Sequence, residues 1–185
     1  MKQLFKLTVV IFASSLITCK STKTTQKIKT YSRLDSISVK ANMKEFSIEV
    51  PNTWYSYIDS HYNLSHTPIE LSLNKKHYPK TYLNILKEKT KSNNIEELTK
   101  DLVERLTKKY KNFNYDLVKA KHPLYGRYNF IIYKKNIDFE DETIVNALIL
   151  KGNYSYWIQY RSLSKHYRKY ADDVVKMIHS FRVKE

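Results

Sequence analysis

Glycine is nearly missing from this chain: Gly126 and Gly152 are the only two in 185 residues. A loop that cradles phosphate through its backbone amides needs clustered glycines, so such loops are excluded, and no serine stands in a G-x-S-x-G elbow. Cysteine is rarer still, with Cys19 alone, so no disulfide can close within the chain. Acidic residues are outnumbered by basic ones, 18 to 33, for a net charge of +15. Long hydrophobic runs are absent as well. The uncharged stretch from Leu7 to Thr18 has 12 residues, short of the roughly 20 that a helix needs to cross a bilayer core.

What that short stretch supplies is an address. Lys2 and Lys6 precede it, Cys19 follows it directly, and the chain then turns polar at Lys20-Ser21-Thr22-Lys23. This is the layout of a secretory signal. It resembles a bacterial lipoprotein signal, with Leu16-Ile17-Thr18-Cys19 as the lipobox. The resemblance implies cleavage before Cys19, a diacylglycerol on its thiol, and residence in the cell envelope, lipid-anchored to a membrane and facing away from the cytoplasm. One acyl chain holds a protein marginally and two or three hold it stably. An ordinary cleaved signal competes, since Ala13-Ser14-Ser15 supplies small residues, and would leave Cys19 a free thiol.

Three segments follow: a signal over residues 1–18, a Thr-, Ser- and Lys-rich tether over 19–42, and one folded domain over 43–185. Loss of Lys2 and Lys6 with the signal leaves a charge of +13. That surplus attracts anions over a Debye length of about 8 Å at physiological salt. Anionic lipid, acidic glycan and acidic protein all fit it. A compositional, solvated basic surface fits it equally, because Lys outnumbers Arg 27 to 6 and is scattered along the chain. Nucleic acid is not expected as a partner, since no recognition module for it is visible.

Along the domain, Phe46, Ile48 and Val50 alternate with polar residues, predicting a half-buried strand that Pro51-Asn52-Thr53 ends in a turn before Trp54. Residues 59–79 read as polar and irregular except for a strand over Ile69 to Leu73. Tyr82 to Lys89 fits strand or helix, with strand favoured. Asn93 with Glu96 resembles a capping box, and Ile95, Leu98, Leu102, Leu106 and Tyr110 follow at helical spacing. The period then returns to two around 113–120, 125–133, 143–150 and 154–161, with Gly152-Asn153 a two-residue hairpin turn. A second helix is predicted over 165–179, burying Tyr170, Val174, Met177 and Ile178. The fold class is α+β: an antiparallel sheet packed with helices, not a βαβ nucleotide fold.

Phe46-Ser47-Ile48-Glu49-Val50-Pro51-Asn52-Thr53-Trp54 looks like the opening strand and proline-tryptophan turn of PsbP-like proteins. Val174-Val175-Lys176-Met177-Ile178-His179-Ser180-Phe181 looks like their closing helix. The resemblance spans about 43–183 and implies an α/β/α sandwich. It also implies docking onto a larger assembly, here an envelope protein, in place of catalysis. No family binding residue is carried over, and no cofactor is implied.

The residues offer little chemistry of their own. The histidines are His61, His66, His77, His122, His166 and His179, and no pair has the helical i, i+4 spacing of a zinc helix. His61, His66 and His77 share a segment with Asp59, where exposed loop histidines are the default and a transition-metal site the alternative. His179 is expected to favour the negative end of the last helix. Asp138, Glu140, Asp141 and Glu142 form the one acidic cluster, read as a solvated tip with calcium as the alternative. Neither is taken as a metal site. Tyr154, Tyr156 and Tyr160 share one parity, and with Arg161, Lys165 and Arg168 they form the candidate partner surface, ordinary sheet packing being the alternative.

Overall fold

The computed structural model describes residues 45–58, 64–71, 80–137 and 140–184. Cys19, the signal, the tether, Asp59, His61, His77 and Asp138 lie outside the described residues. The chain runs β1 (Phe46–Ser47), β2 (Trp54–Ile58), β3 (Leu64–Pro68), a 3-10 turn (Ile69–Leu71), β4 (Tyr82–Lys89), α1 (Ile95–Lys109), β5 (Tyr115–His122), β6 (Gly126–Ile137), β7 (Glu140–Lys151), β8 (Tyr154–Leu163), α2 (Ser164–Ser180) and β9 (Arg182–Val183).

Seven strands form one antiparallel sheet in the order β2-β3-β4-β8-β7-β6-β5. The β7–β8 hairpin closes on Gly152 and Asn153, and the positive φ of 57° falls on Gly152, as a Gly-X turn requires. Because strand side chains alternate, β8 sends Tyr156, Ile158 and Tyr160 to one face and Trp157 to the other. The first face packs against α2 through Tyr170, Val174, Met177 and Ile178. The second packs against α1 through Ile95, Leu98, Leu102 and Leu106. The central strands are thus covered on both sides, which is the α/β/α sandwich.

The start of α1 lies one residue later than the sequence pattern predicts. Asn94 is the N-cap: its side chain accepts from the Glu97 amide at 2.8 Å, while the Asn93 amide donates to Glu97 Oε2 at 3.3 Å. Asn93 and Glu96 are exposed. The cap bond is made one position later than predicted, and the return bond from Glu97 goes to the amide of the residue before the cap.

The first strand is two residues long and stops short of Ile48 and Val50. Phe46 is buried against Phe181, with ring centroids 5.7 Å apart, and β1 pairs with β9 outside the main sheet. The predicted alternation survives without the strand, since Ile48 and Val50 pack on the core beyond it. The strand predicted over Ile69 to Leu73 is also corrected as far as Leu71, Ser72 and Leu73 lying outside the described residues. Ile69–Leu71 is a 3-10 turn fixed by the Ile69 amide donating to Thr53 O at 2.8 Å, and the strand there is β3, ending at Pro68. All five β3 residues are buried, so no alternation announces it.

Candidate functional site

The six residues of the predicted partner surface do not share a surface. Tyr156 and Tyr160 are 2% and 1% exposed beneath α2, so they are core, and the packing alternative applies to them. Tyr154 is half-buried with Lys87 Nζ 4.2 Å from its ring centre. Arg161 points to the α1 face, where its Nη2 lies 2.6 Å and its Nε 2.7 Å from Glu142 Oε2. Lys165 and Arg168 are exposed on α2, on the other side of the sheet.

Among the described residues the one exposed aromatic ring, Tyr115, lies at the β5 edge, beside half-buried Phe113 and buried Tyr133. Phe113 stacks on Tyr115 at 5.4 Å and meets Tyr133 edge-on at 5.2 Å; Tyr115 and Leu117 are among the few large apolar side chains left exposed. Nothing distinguished this edge in sequence, because its alternation reads like that of any half-buried strand.

The acidic tip is not a solvated loop throughout. Glu142 is 4% exposed, bonded to Arg161 and 3.9 Å from Lys135 Nζ. Glu140 pairs with Lys80, and Asp141 accepts from Asn136 Nδ2 at 2.9 Å. Among the described residues no group of histidines, cysteines and carboxylates could hold a metal ion.

Three histidines occupy structural positions. His66 is fully buried in β3, its Nδ1 2.8 Å from Ser56 Oγ, and burial lowers its pKa to about 4. It is therefore not the exposed loop histidine that its surroundings predict. His179 is 3.1 Å from the Tyr128 hydroxyl, and burial, helped by the Arg182 charge, holds its pKa below the usual value. Desolvation there outweighs the helix end, so the charged form expected at that position is disfavoured.

His122 builds a turn. Its Nδ1 accepts from the Leu124 and Tyr125 amides at 3.1 and 3.3 Å, which assigns the proton to Nε2, 3.0 Å from Ile178 O. The fully buried ring thus ties the Pro123–Tyr125 connection to the end of α2 and leaves Leu124 58% exposed, the most exposed large hydrophobic side chain described. Beside Leu124 is an open hollow of about 440 Å³ lined by Tyr125, Leu150, Lys151, Gly152, Arg182 and Val183. Tyr125 also accepts from the Val183 amide through its hydroxyl at 2.7 Å, and Lys184 N donates to Glu45 O at 2.8 Å. The first described residues, Glu45 and β1, therefore stand at this end. A Pro-Leu pair between two strands was the available sequence signal.

An antiparallel sheet clad by one helix on each face is an α+β sandwich, and its fold is similar to that of PsbP. LpqN, described as involved in cell envelope biogenesis of Mycobacterium tuberculosis, superposes with a TM-score of 0.57 at 9% identity, covering 76% of this chain and 83% of that one. Cyanobacterial PsbP from Synechocystis superposes with a TM-score of 0.53 at 6% identity, over 76% and 88%. These likenesses show the fold. No family model and no curated protein matches the chain.

Proposed function

We propose that the protein is a membrane-anchored, non-catalytic module of the bacterial cell envelope, held by acylated Cys19 on the tether of residues 19–42 and acting through docking. The observation that carries this reading is the lipobox-like signal ahead of a domain with the fold of a protein involved in cell envelope biogenesis and of a cyanobacterial PsbP. The described side chains add support: His66, His122 and Glu142 are committed to holding strands and turns together. No described helix is long and apolar enough to cross a membrane, so the anchor in this reading is the lipid.

The docking partner in this reading is another envelope protein. Crosslinking the full chain in intact cells and capturing it should recover one recurrent partner. Repeated recovery of nothing above a mock control contradicts the accessory role. A second reading, binding of an anionic lipid or glycan, is favoured by the hollow beside Leu124 with Lys151 and Arg182 in its wall.

A further inference from the structure

We propose that the end of the sandwich carrying the Pro123–Tyr125 turn is a docking surface for an anionic bilayer, with Leu124 entering the headgroup region and the neighbouring cations meeting lipid phosphate. The inference rests on the anchored reading above and adds an orientation to it.

Four observations converge on that end. Leu124 is an aliphatic side chain displayed at the tip of a connection that a buried histidine holds rigid. An apolar tip ringed by cations matches the interface of an anionic membrane, where hydrocarbon is covered by negative charge. Lys121 and Arg127, which flank the turn, stand directly opposite each other in the β5–β6 register, and both are exposed. Like charges at facing strand positions repel, and neither has an ion pair among the described residues. An anionic surface supplies the missing counter-charge.

The hollow provides the third. Arg182 gives Nη1 to two backbone carbonyls, His179 O and Phe181 O, each at 2.7 Å, which fixes its guanidinium, and Lys151 lines the same hollow. A guanidinium fork with a second cation suits a phosphodiester. The fourth is placement. The first described residues, Glu45 and β1, stand here. Glu45, at this end, is paired with Lys87 Nζ at 3.1 Å, whereas Glu140, Asp141 and Glu142 lie at the other end of the 12-residue β6, roughly 35–40 Å away at strand rise and well beyond the Debye length of about 8 Å.

The test uses the full acylated chain, whose own thiol is blocked, in a Leu124→Cys variant carrying a fluorophore, beside a Thr107→Cys control on the exposed far half of α1. Both are bound through the anchor to vesicles of phosphatidylcholine, with or without phosphatidylglycerol. On anionic vesicles the label at 124 should be shielded from an aqueous quencher while that at 107 stays accessible. The shielding should vanish on phosphatidylcholine alone and at about 1 M salt, where the Debye length is about 3 Å. Lys121→Ala and Arg127→Ala should each lower the docked-to-undocked ratio about fivefold. Equal quenching at 124 and 107 on anionic vesicles overturns the proposal. Failure to float with phosphatidylcholine vesicles at all overturns the anchored reading instead, so the two failures are distinct.

Discussion

At the residue scale, Glu142 is the one carboxylate described as buried, and its charge is met by Arg161 at 2.6 Å with Lys135 further off at 3.9 Å. Removing one partner of such a pair strands the other, so Arg161→Met should cost about 3 kcal/mol. Replacing both, as Arg161→Met with Glu142→Leu, should restore much of that loss, because the cost is chiefly the orphaned charge. Urea unfolding of the two variants checks this, and a double variant less stable than the single contradicts it. In sequence Glu142 was one of four acids at a tip. Only the Lys135–Glu142–Leu163 alignment across three strands sets it apart, and register is not readable from a hydrophobic pattern with no break in it.

The histidines set a pH dependence with a definite sign. His66, His122 and His179 all have pKa values lowered by burial, His66 to about 4 from 6.5. The unfolded chain therefore takes up protons that the folded one refuses, so stability is full above about pH 6.5 and is lost as pH falls below it. For His66 alone the span from 6.5 to about 4 amounts to roughly 3 kcal/mol. The urea midpoint should drop between pH 7.5 and pH 5, and His66→Gln should flatten the drop. A midpoint that rises on acidification contradicts the assignment.

At the element scale, the helices and the long hairpins were legible, and the β2–β3 region was not. α2 buries the four predicted residues Tyr170, Val174, Met177 and Ile178, and Tyr82–Lys89 is the favoured strand. These elements bury apolar side chains at a regular period, which is the signal that a sequence carries. β3 buries Ser65, His66 and Thr67 instead, using Ser56 Oγ and the Thr81 carbonyl as partners. Its polarity imitates a loop. The cap of α1 gives a sharp test of register: Asn94→Ala should cost about 1 kcal/mol, while Asn93→Ala, which keeps its backbone amide, should cost only a few tenths. Thermal melts of the two variants decide it, and the reverse order would place the cap at Asn93.

At the scale of the whole molecule, the ends of the domain are clasped together. β1 and β9 pair, Phe46 and Tyr156 both pack on Phe181, and the Glu49 amide donates to Ser180 Oγ at 2.8 Å. Phe181 is fully buried, so Phe181→Ala should destabilise the domain by about 3–5 kcal/mol, read as the shift in urea midpoint. The sequence motifs at either end of the domain, the Phe46–Trp54 segment and the Ser180-Phe181 pair, are thus halves of one contact. That explains why short, mostly structural motifs pointed to the fold while the docking end stayed hidden: Leu124 from the β5–β6 turn, Lys151 from the end of β7 and Arg182 from β9 are brought together only by folding.

The anchored reading stands or falls on Cys19. Intact mass of the wild-type chain from membranes should show a polypeptide beginning at Cys19 with added acyl mass, and Cys19→Ala should leave the membrane fraction. A wild-type chain without acyl mass, or a Cys19→Ala variant that stays in the membrane, contradicts the account.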